Sequence, residues 1–132
     1  MSSNIKIVNV TELLMRDHKT NKNIKVEEHP YYLSLINYDK EIFEKYVKLN
    51  KHQSEKPSGQ WKNYCEIYKN LRSNGFDFNN SDKITIKQRD DKLICRHGRH
   101  RTCMLYKLFG DNLHFKVIDK LVVGIILKQK GT

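Results

Sequence analysis

Cys95-Arg-His-Gly-Arg-His-Arg-Thr-Cys-Met-Leu-Tyr-Lys-Leu-Phe-Gly110 decides how the chain is read. Leu93 and Ile94 lead into it as the end of an apolar run, and Gly98 breaks the pattern. Apolar residues then recur at helical spacing up to a second glycine, Gly110. The stretch predicts a strand, a tight turn and a helix. The turn and first helical positions hold Gly98, Arg99, His100, Arg101 and Thr102, with Arg96 and His97 just before. A helix start presents unpaired N–H groups and the positive end of the macrodipole. Glycine lets the backbone approach a ligand closely, and arginine adds charge-assisted donors. These features together predict an anion site, most naturally for phosphate.

From Lys92 to Gly110 the chain has no acidic residue, so the local sequence offers Arg96, Arg99 and Arg101 no ion-pair partner. Cations this close repel one another unless an anion relieves them. Over the full 132 residues the formal charge is +10, which favours anionic partners: nucleotides, nucleic acid, acidic sugars or a membrane surface. The length suits one domain, residues 1–132, with a core of its own. Met1 to Val10 lacks a basic region followed by a long apolar stretch, so no secretory signal is expected. Leu121 to Leu127, the longest apolar run, is far short of a membrane span. Cys65, Cys95 and Cys103 are odd in number and form no C-x-x-C pair, which favours a reduced, cytoplasmic setting.

Working outward, Ile5 to Val10 alternates and is β-branched, as a strand would be, and Thr11 is placed to cap a short helical turn through Leu13 and Leu14. Arg16 to Lys25 is polar and lysine-rich and reads as a surface loop. Pro30 suits the first turn of a helix carrying Tyr31, Tyr32, Leu33, Leu35 and Ile36, and Asp39 to Leu49 has helical spacing. Lys51 to Gln60 reads as a loop. Trp61, Tyr64, Cys65, Tyr68 and Leu71 mark an amphipathic helix closed by Gly75. Ile84 and Ile86 lie in a short strand, Asp90-Asp91 in a turn, and Lys92 to Arg96 in the return strand; Leu113–Ile118 and Val122–Lys128 complete the strands. The fold class is α/β (α+β): a small mixed sheet flanked by helices.

Asn74-Gly-Phe-Asp77 after a helix, the strands Lys83-Ile-Thr-Ile86 and Leu93-Ile-Cys95, and Gly98-x-His100-Arg101 opening a helix that ends at Gly110 resemble the ParB/sulfiredoxin-like superfamily. Glu28-His29-Pro30, with Phe43 and Tyr46 farther on, is similar to members found near surface-polysaccharide genes. The match runs over Trp61 to Ile118, about half the chain. The resemblance implies a compact domain whose G-x-H-R turn binds nucleotide phosphates through Gly98, His100, Arg101 and Thr102. Arg101 is the first choice for the phosphate-facing guanidinium. Arg99 stands where sulfiredoxins have their catalytic cysteine, which speaks against sulfiredoxin activity. His97 stands where many relatives carry Asp, leaving the metal ligands unassigned. No helix-turn-helix region of a partition protein is expected.

The expected function is that of a nucleotide-binding phosphotransferase, a small-molecule kinase using ATP or ADP, with Mg²⁺ expected from general phosphate chemistry. Its acceptor would be a sugar, a polyol or an amino acid. Glu28 is the candidate base, although Glu27 and Glu28 also simply favour a helix start. His97 and His100 are candidates for phosphate contact or proton transfer. Two alternatives remain open: a nucleic-acid-binding or nuclease-like module, and a nucleotide sensor without catalysis. Cys95, His97, His100 and Cys103 also read as C-x-H-x₂-H-x₂-C, but the arginines oppose a zinc ion and free buried thiols fit better. Trp61, Tyr64 and Tyr68 read as a core stripe rather than a base-stacking surface. Of Tyr31 and Tyr32, one is free to reach a site. Lys48, Lys51, His52 and Lys56 read as solvated, or as closing over an anion.

Overall fold

A computed structural model of the chain describes residues 5–78 and 83–128. It begins with strand β1, Ile5–Asn9, and a three-residue 3-10 turn, Val10–Glu12. Strands β2 (Leu13–Asp17) and β3 (Lys22–Lys25) follow, then a second 3-10 turn, Val26–Glu28. Helices α1 (Pro30–Ile36), α2 (Lys40–Val47), α3 (Lys51–Ser54, a single turn) and α4 (Trp61–Asn74) come next. The chain closes with β4 (Thr85–Arg89), β5 (Lys92–His97), α5 (Arg99–Phe109), β6 (Leu113–Ile118) and β7 (Leu121–Leu127). The result is a mixed α/β domain with one seven-stranded sheet, ordered β1-β6-β7-β4-β5-β2-β3. β2 and β5 run parallel; every other pairing is antiparallel.

This order forces the sheet to curl. β1 and β2 stand first and sixth in the sheet, about 24 Å apart if it were flat, at about 4.8 Å per strand. The four links from Asn9 to Leu13 reach only about 14 Å. Lys6 Nζ of β1 accordingly donates to Gln88 Oε1 of β4 at 2.6 Å, across two intervening strands. Inside the curl lie Val8, Val10, Leu13, Met15, Ile84, Ile86, Leu113 and Phe115, each under a tenth exposed. α1 packs on α2 and α5, and α4 on α5. Phe43, Tyr64, Cys103 and Met104, all fully buried, join the helices to that core. No helix among the described residues is long and apolar enough to cross a membrane.

Three expectations near the N-terminus and in the middle of the chain are corrected. Asn9, not Thr11, caps the first turn: its Oδ1 accepts from Thr11 N at 2.8 Å. Leu13 and Leu14 belong to β2, because Leu13, Met15 and Asp17 alternate inward with a period of two. Arg16 to Lys25 is a β-hairpin rather than a loop, with β2 paired to β3 from Leu14↔Lys25 to Asp17↔Lys22. Asp17 organises its tip: the carboxylate accepts from Lys19 N at 3.0 Å and Thr20 Oγ1 at 2.9 Å, and its carbonyl from Asn21 N at 2.8 Å. Lys51 to Gln60 contains α3 and a 3-10 turn, Pro57–Gly59.

Candidate anion-binding site

β5 enters the sheet centre and stops at His97 because Gly98 turns the chain. Gly98 has φ +79, the left-handed region where side chains are strained. A Cβ here would also sit 2.6 Å from Ile84 Cγ1 and 3.0 Å from both Ile84 Cα and Lys83 O. The glycine therefore satisfies a backbone angle and a close approach to the segment before β4. Its carbonyl accepts from Thr102 N and from Thr102 Oγ1, each at 2.9 Å, which closes the first turn of α5.

Above that turn opens a cavity of about 580 Å³. One wall is formed by Lys83 and Thr85 at the start of β4 and by the run Arg96 to Arg101. The other comes from three helices and the loop after one of them: Tyr31 on α1, Gln53 on α3, Lys56 after it, and Ile67 on α4. Of the twelve described residues that line it, five are Lys or Arg and none is acidic. Lys56, Lys83, Arg96 and His97 are exposed, whereas Arg99 and Arg101 are half-buried. No ion pair between described residues involves Lys56, Lys83, Arg96 or Arg99. Five cations around one space create a potential that a multiply charged anion neutralises.

Arg99 lies deepest in electrostatic terms. Its charge acts on His18, His29, His100, Tyr31 and Tyr46. Arg101, preferred from the sequence, stacks its guanidinium over the Phe76 ring, 5.5 Å from the centroid, while still lining the cavity. His100 is enclosed by rings: Tyr31 and Tyr64 meet it edge-on at 4.2 and 5.0 Å between centroids. Burial, then the charges of Arg99, His29, Arg101 and Lys56, lower its pKa to about 3. Its imidazole is therefore neutral at pH 7. Thr85 Oγ1, also on this wall, is closed off from solvent and has no hydrogen-bond partner among the described residues.

Gly98, Arg99, His100 and Arg101 are thus brought to one cavity as the sequence suggested, together with Arg96 and His97. Thr102 is not. It is fully buried, and its hydroxyl is engaged by the Gly98 carbonyl and lies 3.6 Å from Cys95 Sγ. It shapes the turn from behind rather than facing the cavity. Glu28 sits exposed in the turn before α1 and is not part of the cavity wall.

Its neighbour His29 is wholly buried instead. His29 Nδ1 accepts from Tyr31 N at 3.1 Å, which leaves Nε2 to donate to Arg16 O at 2.9 Å. Tyr46 Oη lies 3.1 Å from Nε2, donates to Arg16 O and accepts from His18 N. Burial lowers the His29 pKa to about 4. This network fixes the start of α1 and with it Tyr31, whose ring packs on His100. Tyr32 turns the other way and stacks on Tyr106 at 4.8 Å.

Cys95 and Cys103 face the core, Cys103 Sγ 4.0 Å from Met15 Sδ, and burial raises the Cys95 pKa to about 11. Tyr64 is likewise core, stacked on Phe43 at 4.4 Å. Among the described residues no group of His, Cys, Asp or Glu is arranged to hold a metal ion. Lys83, Thr85, Gln53 and Ile67 are the wall residues that carry no local sequence signal. Lys56 does carry one, as a lysine able to close over an anion. Compared with protein-family models, with curated proteins and with solved structures, the chain matches none.

Proposed function

We propose that the protein is a nucleotide-binding phosphotransferase, a small-molecule kinase, that holds the phosphates of ATP or ADP in this cavity. The observation that carries the reading is a cavity at the start of α5 whose wall, among the described residues, bears five cations and no carboxylate. Its volume of about 580 Å³ lies within the range of small-molecule sites. Catalysis of phosphoryl transfer is largely positioning and neutralisation of charge. Arg96 and Arg99 offer planar, bidentate donors for phosphate oxygens, and Lys56 and Lys83 offer point charges. The free N–H groups at the start of α5 add donors fixed in direction.

The residues present fit the phosphates of a nucleotide. Among the described residues they do not supply a carboxylate or imidazole cluster for Mg²⁺, so a metal ion would be held by the nucleotide's own oxygens. With Glu28 outside the wall, His97 at the rim is able to accept a hydrogen bond from an acceptor hydroxyl.

The exposed cations Lys56, Lys83 and Arg96 along the rim support a second reading, a nucleic-acid module in which they would follow a phosphodiester backbone. A thermal-shift panel separates the two: ATP, ADP, CTP and a short single-stranded DNA at low salt, on wild type and Arg99→Ala. A nucleotide at a hundred times its Kd should stabilise by about 2.7 kcal/mol. A nucleotide shift lost in Arg99→Ala supports the phosphate site, and ADP formation dependent on an added sugar, polyol or amino acid supports transfer. Nucleotide binding without turnover would make the protein a sensor. A shift with DNA alone, steeply weakened by salt, would replace the nucleotide reading.

A further inference from the structure

We propose that phosphate binding in this cavity is coupled to proton uptake by His100, so that the site tightens on its ligand as pH falls. The inference rests on the nucleotide reading and deepens it. His100 occupies the second position of α5, between Arg99 and Arg101, and lines the cavity. Its ring is gripped by Tyr31 and Tyr64 at 4.2 and 5.0 Å, with Phe43 at 6.3 Å, and these contacts hold the imidazole in place. Neither ring nitrogen has a hydrogen-bond partner among the described residues. A polar ring fixed by apolar contacts and left unbonded beside a cationic cavity is suited to a ligand that supplies the missing bond.

The groups facing it from each side set the sign. On its own helix stand Arg99 and Arg101; ahead of α1 stands the buried neutral His29; Lys56 stands across the cavity. Tyr31 and Tyr64 present phenols that burial keeps protonated. Every charge in that set is positive, so the empty site holds the imidazole neutral. A phosphate against the α5 N-terminus reverses the local potential. It screens the two arginines and places negative charge beside the ring, which favours the imidazolium. The proton comes from solvent, and the charged ring then donates to a phosphate oxygen. By linkage, a ligand that raises the pKa of a site binds more tightly at lower pH.

The test is an NMR titration of protein labelled in its histidine rings, from pH 8 to pH 5.5, with and without saturating ATP. His100→Asn assigns the resonance, and ATP affinity is measured on both proteins across the same range. Without ATP the His100 ring should stay neutral throughout; with ATP it should show the imidazolium form by about pH 6. The ratio of wild-type to variant affinity should rise several-fold from pH 8 to pH 6, which also removes the titration of ATP itself from the comparison. ATP binding with a ring that stays neutral at pH 5.5 would overturn the coupling and leave the nucleotide reading standing. Absence of ATP binding at every pH would overturn both. If the variant folds poorly, sequence-specific assignment of the wild-type ring resonances identifies His100 among the six histidines, and the wild-type titration decides the matter.

Discussion

Gly98 and Arg99 are adjacent but fail in different ways when replaced. An alanine at Gly98 inherits φ +79 and a Cβ 2.6 Å from Ile84 Cγ1 and 3.0 Å from the backbone around it. The Ile84 side chain can move, but its Cα and the Lys83 carbonyl cannot move cheaply. Gly98→Ala should therefore cost about 1–3 kcal/mol in urea denaturation, the range for a strained backbone, and should weaken ATP binding with it. A cost below about 0.5 kcal/mol would show that the turn relaxes without strain. Arg99→Ala should leave stability nearly unchanged while abolishing the ATP-induced thermal shift. Because the charge of Arg99 lowers the pKa of His18, His29 and His100, the same variant should raise all three in a histidine NMR titration. The arginines are legible in the sequence because a basic run broken by a glycine, with no acid nearby and an apolar helix following, gathers its charge at a helix start. Thr102 is not, because nothing local tells a threonine that faces a ligand from one that bonds back to the carbonyl four residues earlier. Tyr31, Gln53, Lys56, Ile67 and Lys83 reach the cavity from separate elements, and only the tertiary fold brings them there.

Elements with one buried stripe and a clear stop can be read directly: α4 ends at Gly75 and α5 at Gly110, and the β4–β5 hairpin turns at Asp90-Asp91. β2 and β3 escape such a reading because the inward set Leu13, Met15 and Asp17 is interrupted by apolar Leu14 and ends in a buried acid. An alternation that buries a carboxylate does not look like a strand until the hairpin tip supplies its donors. The parallel pairing of β2 with β5, which places the hairpin beside the Gly98 turn, is non-local and has no signature in either segment. Two caps gauge the helices. Asp39 Oδ1 accepts from Glu41 N and Ile42 N at the start of α2, so Asp39→Ala should cost about 1 kcal/mol in thermal or urea unfolding. The His29 ring caps α1 from inside the core, where it also bonds Arg16 O. His29→Ala removes a cap, a buried hydrogen bond and the volume of a ring, and should cost roughly 2–4 kcal/mol. If His29→Ala costs no more than Asp39→Ala, the buried network is not what holds α1 to β2.

Across the whole molecule, the ion pairs Lys45–Glu41 and Lys69–Glu66 are exposed and contribute little to stability. The acid response of the fold should then be governed by two histidines held neutral, His29 in the core and His100 among rings at the cavity wall, with pKa values lowered to about 4 and about 3 from an ordinary 6.5. Above pH 6.5 both are neutral in the folded and unfolded chain alike, and neither contributes a pH dependence. Below it the unfolded chain binds two protons that the native state refuses, so stability must fall as pH falls, down to about pH 4 for His29 and about pH 3 for His100. At pH 5 the loss relative to pH 7.5 should be about 2 kcal/mol for each histidine, following 1.36 kcal/mol per unit of pKa difference. Urea denaturation at the two pH values measures it, and a flat profile would show that the native state accepts both protons. ATP makes the comparison sharper. If binding charges His100, a saturated protein has a native state that takes up one of the two protons, and its loss of stability between pH 7.5 and 5 should shrink by about half. His29, which lies outside the cavity wall, should keep its share.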